Sequence, residues 1–311
     1  MTEIIRSLQN PRIKQALQLR NAGKRRELGL MIIDGVREIQ QAIQAGIEIK
    51  EIFALEEQPS TENDHRAKTN PSPDDDRTSD RSPIEPHDRG SFLASCHPLK
   101  MSFVSAAVME RLAYGERSVP YVAIAKQPSL FLKNLKLRHR HSNSAIQSEQ
   151  GLILVIDRVE KPGNLGAMLR TADAVGVSAV LLSDPICEVW NPNAIRSSLG
   201  AIFQVPIATA ASEAIIDWLR AQNFQILAAR LQQSETYQKV TLQNRVAIVV
   251  GSEAEGLGSN WIQDAIEGVR LPMQGSVDSL NVSVSAAVLL YDSAARLDWF
   301  KAQPEPLKVS P

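Results

Sequence analysis

The residues best able to do chemistry lie in the second half of the chain, just beyond apolar runs. Lys161-Pro162-Gly163-Asn164-Leu165-Gly166 follows the run Leu152 to Ile156 and precedes a helical pattern from Ala167 to Val175. A loop before a helix N-terminus is a natural anion or phosphate site. Its spacing is not the GxGxxG of a dinucleotide fingerprint. Asn164 reads equally as a turn residue. Arg170 is expected one turn into the helix, where a cation runs against the macrodipole. A surface charge, a buried ion pair or a bound anion would each account for it. Gly251-Ser252-Glu253-Ala254-Glu255-Gly256-Leu257-Gly258 follows a second apolar run, Val246 to Val250. Glycines there permit positive φ and close approach of a ligand to the backbone. Glu253 either caps the following segment or faces that ligand. Asn281 reads as a helix N-cap, and Ser279, Ser283 and Ser285 as capping or packing hydroxyls.

These residues need a scaffold, and the patterning supplies one. Leu152 to Ile156, Val177 to Leu182, Gln225 to Ala229 and Val246 to Val250 read as buried strands. Val205-Pro206-Ile207 reads as a short edge strand. Helical patterns fall between them at Ala167 to Val175, Asn193 to Leu199 and Ala211 to Gln222, and a long last helix follows Asn281. Asp157 to Gly166 is expected as a loop. Strand and helix in alternation predict an α/β unit with a parallel sheet. In such sheets ligands bind at the carboxyl ends of strands, where Asn164, Gly251 and Glu253 fall. Val282, Ala286, Leu289, Leu290 and Leu297 share one helical face and are expected in the core.

The first 127 residues form a smaller unit. Residues 1 to 30 are basic, with Arg6, Arg12, Lys14, Arg20, Lys24, Arg25 and Arg26 against Glu3 and Glu27. Ile13, Ala16, Leu17 and Leu19 predict a helix with one apolar side. Its cationic side is either a solvated surface or a contact for nucleic-acid phosphates. Strands Leu30 to Ile33, Ile49 to Leu55, Met101 to Val104 and Tyr121 to Ala125 alternate with helices Val36 to Ala45 and Ala106 to Tyr114. From Glu56 to Gly90 large apolar residues nearly vanish, which predicts a disordered insertion. Residues 128–150 read as a linker with a second basic segment, Lys133 to His141. Its histidines lack metal-ligand spacing and are expected to face solvent or phosphate. The catalytic unit is expected over 151–300, with a tail at 301–311.

The 311 residues carry a net charge of −1, so only charge distribution can indicate partners. Cys96 and Cys187 form neither a zinc motif nor a disulfide framework. No apolar run is long enough to span a membrane. A cytoplasmic protein is expected.

Taken together, Asn164 with Gly166 and Arg170, Gly251-Ser252-Glu253 with Gly256-Leu257, Leu271-Pro272-Met273, and Ser279-Leu280-Asn281-Val282-Ser283-Val284 resemble the three motifs of the SpoU (TrmH-like) RNA 2′-O-ribose methyltransferases of the SPOUT superfamily. The resemblance covers essentially all of 151–300. Gln9-Asn10-Pro11-Arg12-Ile13-Lys14 and Asp34-Gly35-Val36-Arg37 resemble that family's ribosomal-protein-like α/β substrate-binding domain. Asp34 stands where a glutamate is more usual, and the insertion is atypical.

The resemblance implies a SPOUT domain with a deep trefoil knot, although knots are essentially absent from folds in general. It implies a homodimer that acts on RNA, 23S ribosomal RNA in particular, with S-adenosylmethionine as methyl donor. The sulfonium carries its own positive charge, so no metal is expected. Gly251, Leu271 and Leu280 would line the cofactor pocket. Arg170, Asn164, Glu253, Asn281 and Ser279 would form the catalytic set, and Arg12, Lys14 and Arg37 would touch RNA. A ribose 2′-OH must be aligned with the methyl and lose its proton. Guanidinium groups normally hold their proton. Arg170 is therefore either strongly perturbed as a base or a group that orients the ribose. A transfer RNA methyltransferase, an RNA-binding protein without catalysis, and a nucleotide-binding α/β enzyme are the alternative readings.

Overall fold

The computed structural model describes residues 4–56, 96, 98–115, 119–138, 150–252 and 255–300. Nearly all of the expected insertion, His139, His141, Glu253 and the 301–311 tail lie outside the described residues.

The N-terminal unit begins with α1 (Pro11–Gln18) and α2 (Ala22–Leu28). One basic helix was expected; there are two. The first ends at its C-cap Leu19, and Asn21 caps the second, its side chain accepting from the backbone N–H of Lys24. Next come β1 (Leu30–Asp34), α3 (Val36–Gln44), β2 (Ile49–Leu55), β3 (Met101–Val104), α4 (Ala106–Leu112) and β4 (Tyr121–Lys126). The sheet order is β1-β4-β2-β3; β4 is antiparallel to both neighbours and β3 is parallel to β2. Ile13, Ala16 and Leu19 are fully buried on Phe53, Val108 and Val122, which confirms the apolar side of the basic segment.

The C-terminal unit runs β5 (Gly151–Asp157), α5 (Pro162–Val175), β6 (Ala179–Ser183), α6 (Pro192–Ser197), β7 (Ile207–Ala210), α7 (Ser212–Ala221), β8 (Gln225–Ala229), β9 (Glu235–Thr236), β10 (Arg245–Val250), β11 (Glu267–Arg270) and α8 (Val282–Arg296). The sheet order is β7-β6-β5-β10-β8-β11-β9, with every pairing parallel. The two most apolar runs, β5 and β10, lie side by side near its middle. Of the last helix's expected core face, Ala286, Leu289, Leu290 and Leu297 are buried and Val282 is half-buried.

Helix α5 corrects the expected loop from Asp157 to Gly166, because it begins at Pro162. Proline suits the first helical position, where its missing N–H costs nothing. Gly166 is a packing glycine: a Cβ there would lie 1.9 Å from Ser197 Oγ and 2.8 Å from the Ala194 carbonyl oxygen. Its absence lets α5 and α6 approach closely. Gly176, left-handed at φ 74°, ends the helix as expected.

The two units share a core. Helix α6 packs on β1, and one apolar cluster holds Met31, Ile33 and Ile39 together with Trp190, Ile195 and Ile202. Arg25, 1% exposed, is ion-paired with Glu188 across the junction and donates to the carbonyls of Leu19 and Arg20. Gln204 Nε2 donates to the Gln41 carbonyl at 2.9 Å. Part of the expected linker is also built in. Leu130 accepts from the Thr209 N–H at 2.7 Å and Phe131 pairs with Thr209, which covers the edge strand β7. Among the described residues no helix is long and apolar enough to cross a membrane.

Candidate active site

Ile156 and Val250 are register partners, so β5 and β10 end side by side and their loops face each other. A cleft opens between those loops, the first turn of α5 and the start of α8. Ile156, Val159, Met168 and Val282 give it apolar walls, and Glu160, Lys161, Asn164 and Ser252 add polar groups. Met168 follows Asn164 by four residues and so shares its face of α5.

Asn164 and Asn281 meet here across 117 residues of sequence, Asn281 Nδ2 lying 3.5 Å from Asn164 Oδ1. Asn281 is also the expected N-cap: its Oδ1 accepts from Ser283 N–H at 2.9 Å and Ser283 Oγ–H at 2.6 Å. Two helix N-termini thus converge, and the positive ends of their dipoles favour a negatively charged ligand. Gly251 lines the cleft, and its own loop also packs closely against it. A Cβ there would lie 2.4 Å from the Gly256 backbone, because Ser252 and Gly256 close the loop with reciprocal 3.0 Å hydrogen bonds. Ser252 Oγ donates to Glu160 at 2.8 Å.

The other expected site residues lie elsewhere. Arg170 sits in the third turn of α5, not the first, so the macrodipole no longer gives it a special reason. It is six residues from Asn164, about 120° away round the helix. It is exposed and makes no hydrogen bond or ion pair among the described residues. Leu271 is half-buried against the core, Leu280 is 39% exposed, and neither lines the cleft. Ser279 is exposed just before the Asn281 cap. On the N-terminal unit, Lys14 and Arg37 are exposed and unpaired among the described residues. Arg12 is engaged internally: Nε donates to Glu51 at 3.2 Å, the guanidinium also bonds Ser102 Oγ, and it lies over the Phe53 ring. In the second basic segment, Arg138 is similarly held by Asp173 at 3.1 Å and by the Gln204 carbonyl at 2.7 Å.

Glu160 and Met168 were not anticipated as lining residues. The helical spacing of Met168 from Asn164 would have placed it once the true start of α5 was known. Cys187 stands beside the cleft, its N–H donating to the Val159 carbonyl at 2.9 Å. Burial pushes its thiol up to about 11, away from the thiolate a nucleophile requires. Among the described residues no group of His, Cys, Asp and Glu is placed to hold a metal ion.

An open parallel α/β sheet with its cleft at the carboxyl ends of two adjacent central strands defines a ligand-binding α/β domain. The sequence matches the SpoU rRNA Methylase family over residues 151–291 and an MRM3-like substrate binding domain over residues 10–74. It is 35% identical over 139 residues to the 23S rRNA (guanosine(2553)-2′-O)-methyltransferase RlmP of Bacillus subtilis, covering 45% of this chain and 56% of that one. It is 35% identical over 191 residues to the 23S rRNA (guanosine-2′-O-)-methyltransferase RlmB of Bordetella pertussis, covering 61% of this chain and 76% of that one. A crystal structure of an RNA 2′-O ribose methyltransferase superposes with a TM-score of 0.73 at 33% identity, over 94% of this chain and 99% of that one. An AdoMet-bound rRNA methyltransferase from Sinorhizobium meliloti, 23% identical, shares the fold with a TM-score of 0.75 over 95% of this chain and 98% of that one. The chain belongs to the SpoU rRNA methylase family.

Proposed function

We propose that this protein is an S-adenosylmethionine-dependent 2′-O-ribose methyltransferase acting on 23S ribosomal RNA. The observation that carries the reading is the junction of Asn164 and Asn281 beside the Gly251 loop. It joins the family's first and last motifs at one cleft. The cleft suits the cofactor: Ile156, Val159, Met168 and Val282 offer an apolar surface for a base, and Glu160, Lys161 and Ser252 offer partners for hydroxyl, carboxylate and ammonium groups. Bound there, S-adenosylmethionine supplies an electrophilic methyl group.

The chain's own residues then have separable tasks. Asn164, held by Asn281, orients the ribose or its phosphate, and the converging N-termini of α5 and α8 favour that phosphate. Arg170 presents a planar fork suited to a phosphate or ribose oxygen. It lies off the Asn164 face, which supports a site completed by a second copy of the chain. Val284, Val288 and Tyr291, all exposed, form an apolar stripe along α8 at helical spacing. Such a stripe is suited to a twofold contact, and the protein is read as a homodimer. The trefoil knot is part of the same reading: it is supported by the docking of α8 on α5, β5 and β10, beside the loop that closes on Gly251. A cytoplasmic location follows from the ribosomal substrate.

The test is methyl transfer from labelled S-adenosylmethionine to 23S ribosomal RNA, total transfer RNA and unrelated RNA, with ribose methylation mapped by mass spectrometry. One methylated ribose in 23S RNA is expected. Transfer confined to transfer RNA would replace the substrate. Cofactor binding without transfer to any RNA would make the chain an RNA-binding protein instead.

A further inference from the structure

We propose that Arg158 is a positioning residue that clasps the cofactor loop after β10, and that its strained backbone is retained for that task. The proposal rests on the methyltransferase reading. Arg158 is the first residue beyond β5 and has φ +50°. The left-handed region disfavours residues with a Cβ, and strain of this kind persists where surrounding contacts over-determine it. Those contacts are present. Its N–H donates to the Ser183 carbonyl at 2.8 Å. Its Nη1 donates to Glu255 Oε2 at 2.7 Å and its Nη2 to the Gly256 carbonyl at 3.3 Å.

Gly256 is the residue that closes the loop on Ser252, and Ser252 lines the cleft. The guanidinium therefore bonds the loop at its closing point. Asp157, 1% exposed, holds the next position: its Oδ2 accepts from the Gly258 N–H at 2.8 Å and its Oδ1 from Ser183 Oγ–H at 2.8 Å. The end of β5 thus fixes the exit of β10 at Glu255, Gly256 and Gly258. A loop held in its binding geometry before the ligand arrives lowers the ordering cost of binding. Sequence alone would place a glycine or asparagine at a left-handed position. The arginine is explained by what its side chain reaches.

Arg158→Gly separates strain from clasp, because it relieves the first and removes the second. Its melting temperature is expected within about 2 °C of wild type, since a partly exposed ion pair contributes little to stability. S-adenosylmethionine affinity by calorimetry should fall about tenfold, and amide exchange at Ser252 and Gly256 should quicken about tenfold without ligand. Glu255→Gln should move both readouts the same way, and the double variant should add little to either single change. Unchanged affinity in Arg158→Gly overturns the proposal. So does an affinity loss matched by global destabilisation, because the residue is then only structural. If the wild-type chain binds no S-adenosylmethionine, the methyltransferase reading fails, and the exchange rates still decide the clasp: faster exchange supports it and unchanged exchange overturns it.

Discussion

Asn281 carries two tasks that one pair of substitutions separates. As N-cap of α8, its Oδ1 takes the Ser283 N–H at 2.9 Å. As a site residue, its Nδ2 reaches Asn164 at 3.5 Å. Asn281→Ala removes both. Loss of an asparagine cap costs about 1 kcal/mol, which lowers the melting temperature of a domain of this size by about 2–4 °C. Asn281→Ser keeps a capping oxygen and loses only the amide. A 3.5 Å hydrogen bond is long, so its contribution is at most about 1 kcal/mol. If all of that holds Asn164 in its working orientation, single-turnover methyl transfer should slow about fivefold in the serine variant. The alanine variant should slow at least as much and also melt earlier. The assays are thermal unfolding and quenched single-turnover transfer. A serine variant that melts like wild type and transfers at wild-type rate would refute a role for the Asn164–Asn281 contact. A serine variant that melts as early as the alanine one would refute the capping account.

Three further outcomes follow from the same geometry. Arg170→Lys keeps a charge and loses the planar fork, so turnover should fall at least about 100-fold; melting temperature should not change, because Arg170 is exposed and unpaired among the described residues. Joint replacement of Lys14 and Arg37 by Ala should weaken RNA binding and reduce its salt slope by roughly one unit per lost phosphate contact, as read by filter binding across a salt series, with S-adenosylmethionine affinity as control. Tyr291→Asp places a charge in the exposed stripe of α8 and should shift the sedimentation coefficient from dimer to monomer; a wild-type chain already monomeric at working concentration would remove the dimer from the mechanism.

Much of the site was legible in the chain because the motifs are local. Asn164 and Gly251 follow expected strands and line one cleft, and Asn281, the expected cap of the last helix, meets Asn164 beside it. The start of α5 was not legible. Pro162-Gly163-Asn164 carries every sign of a loop, and glycine disfavours a helix interior by about 1 kcal/mol relative to alanine. What offsets this is packing at Gly166, whose missing Cβ lets α5 approach Ser197 and Ala194 on α6, about 30 residues away. The placement of Arg170 failed for the same reason, since its turn number depends on where the helix begins. Strands β9 and β11 escaped notice because Glu235-Thr236 and Glu267-Gly268-Val269-Arg270 lack an apolar run. They exist through pairing to each other and to β8.

The sequence by itself determined the alternation of strands and helices, the two central apolar strands, the Asn281 cap and the family motifs. Each of these is written within a dozen or so neighbouring residues, where backbone propensity and side-chain period act. The tertiary structure alone decided which charges are free. Arg12 and Lys14 are two residues apart and equally cationic, yet Arg12 is taken up by Glu51 and Ser102 while Lys14 faces solvent. Arg25 reads as one more basic residue until Glu188, 163 positions later, buries it at the junction of the two units. Ion pairs and helix contacts of this kind join partners far apart in the chain, and only folding brings those partners within reach of each other.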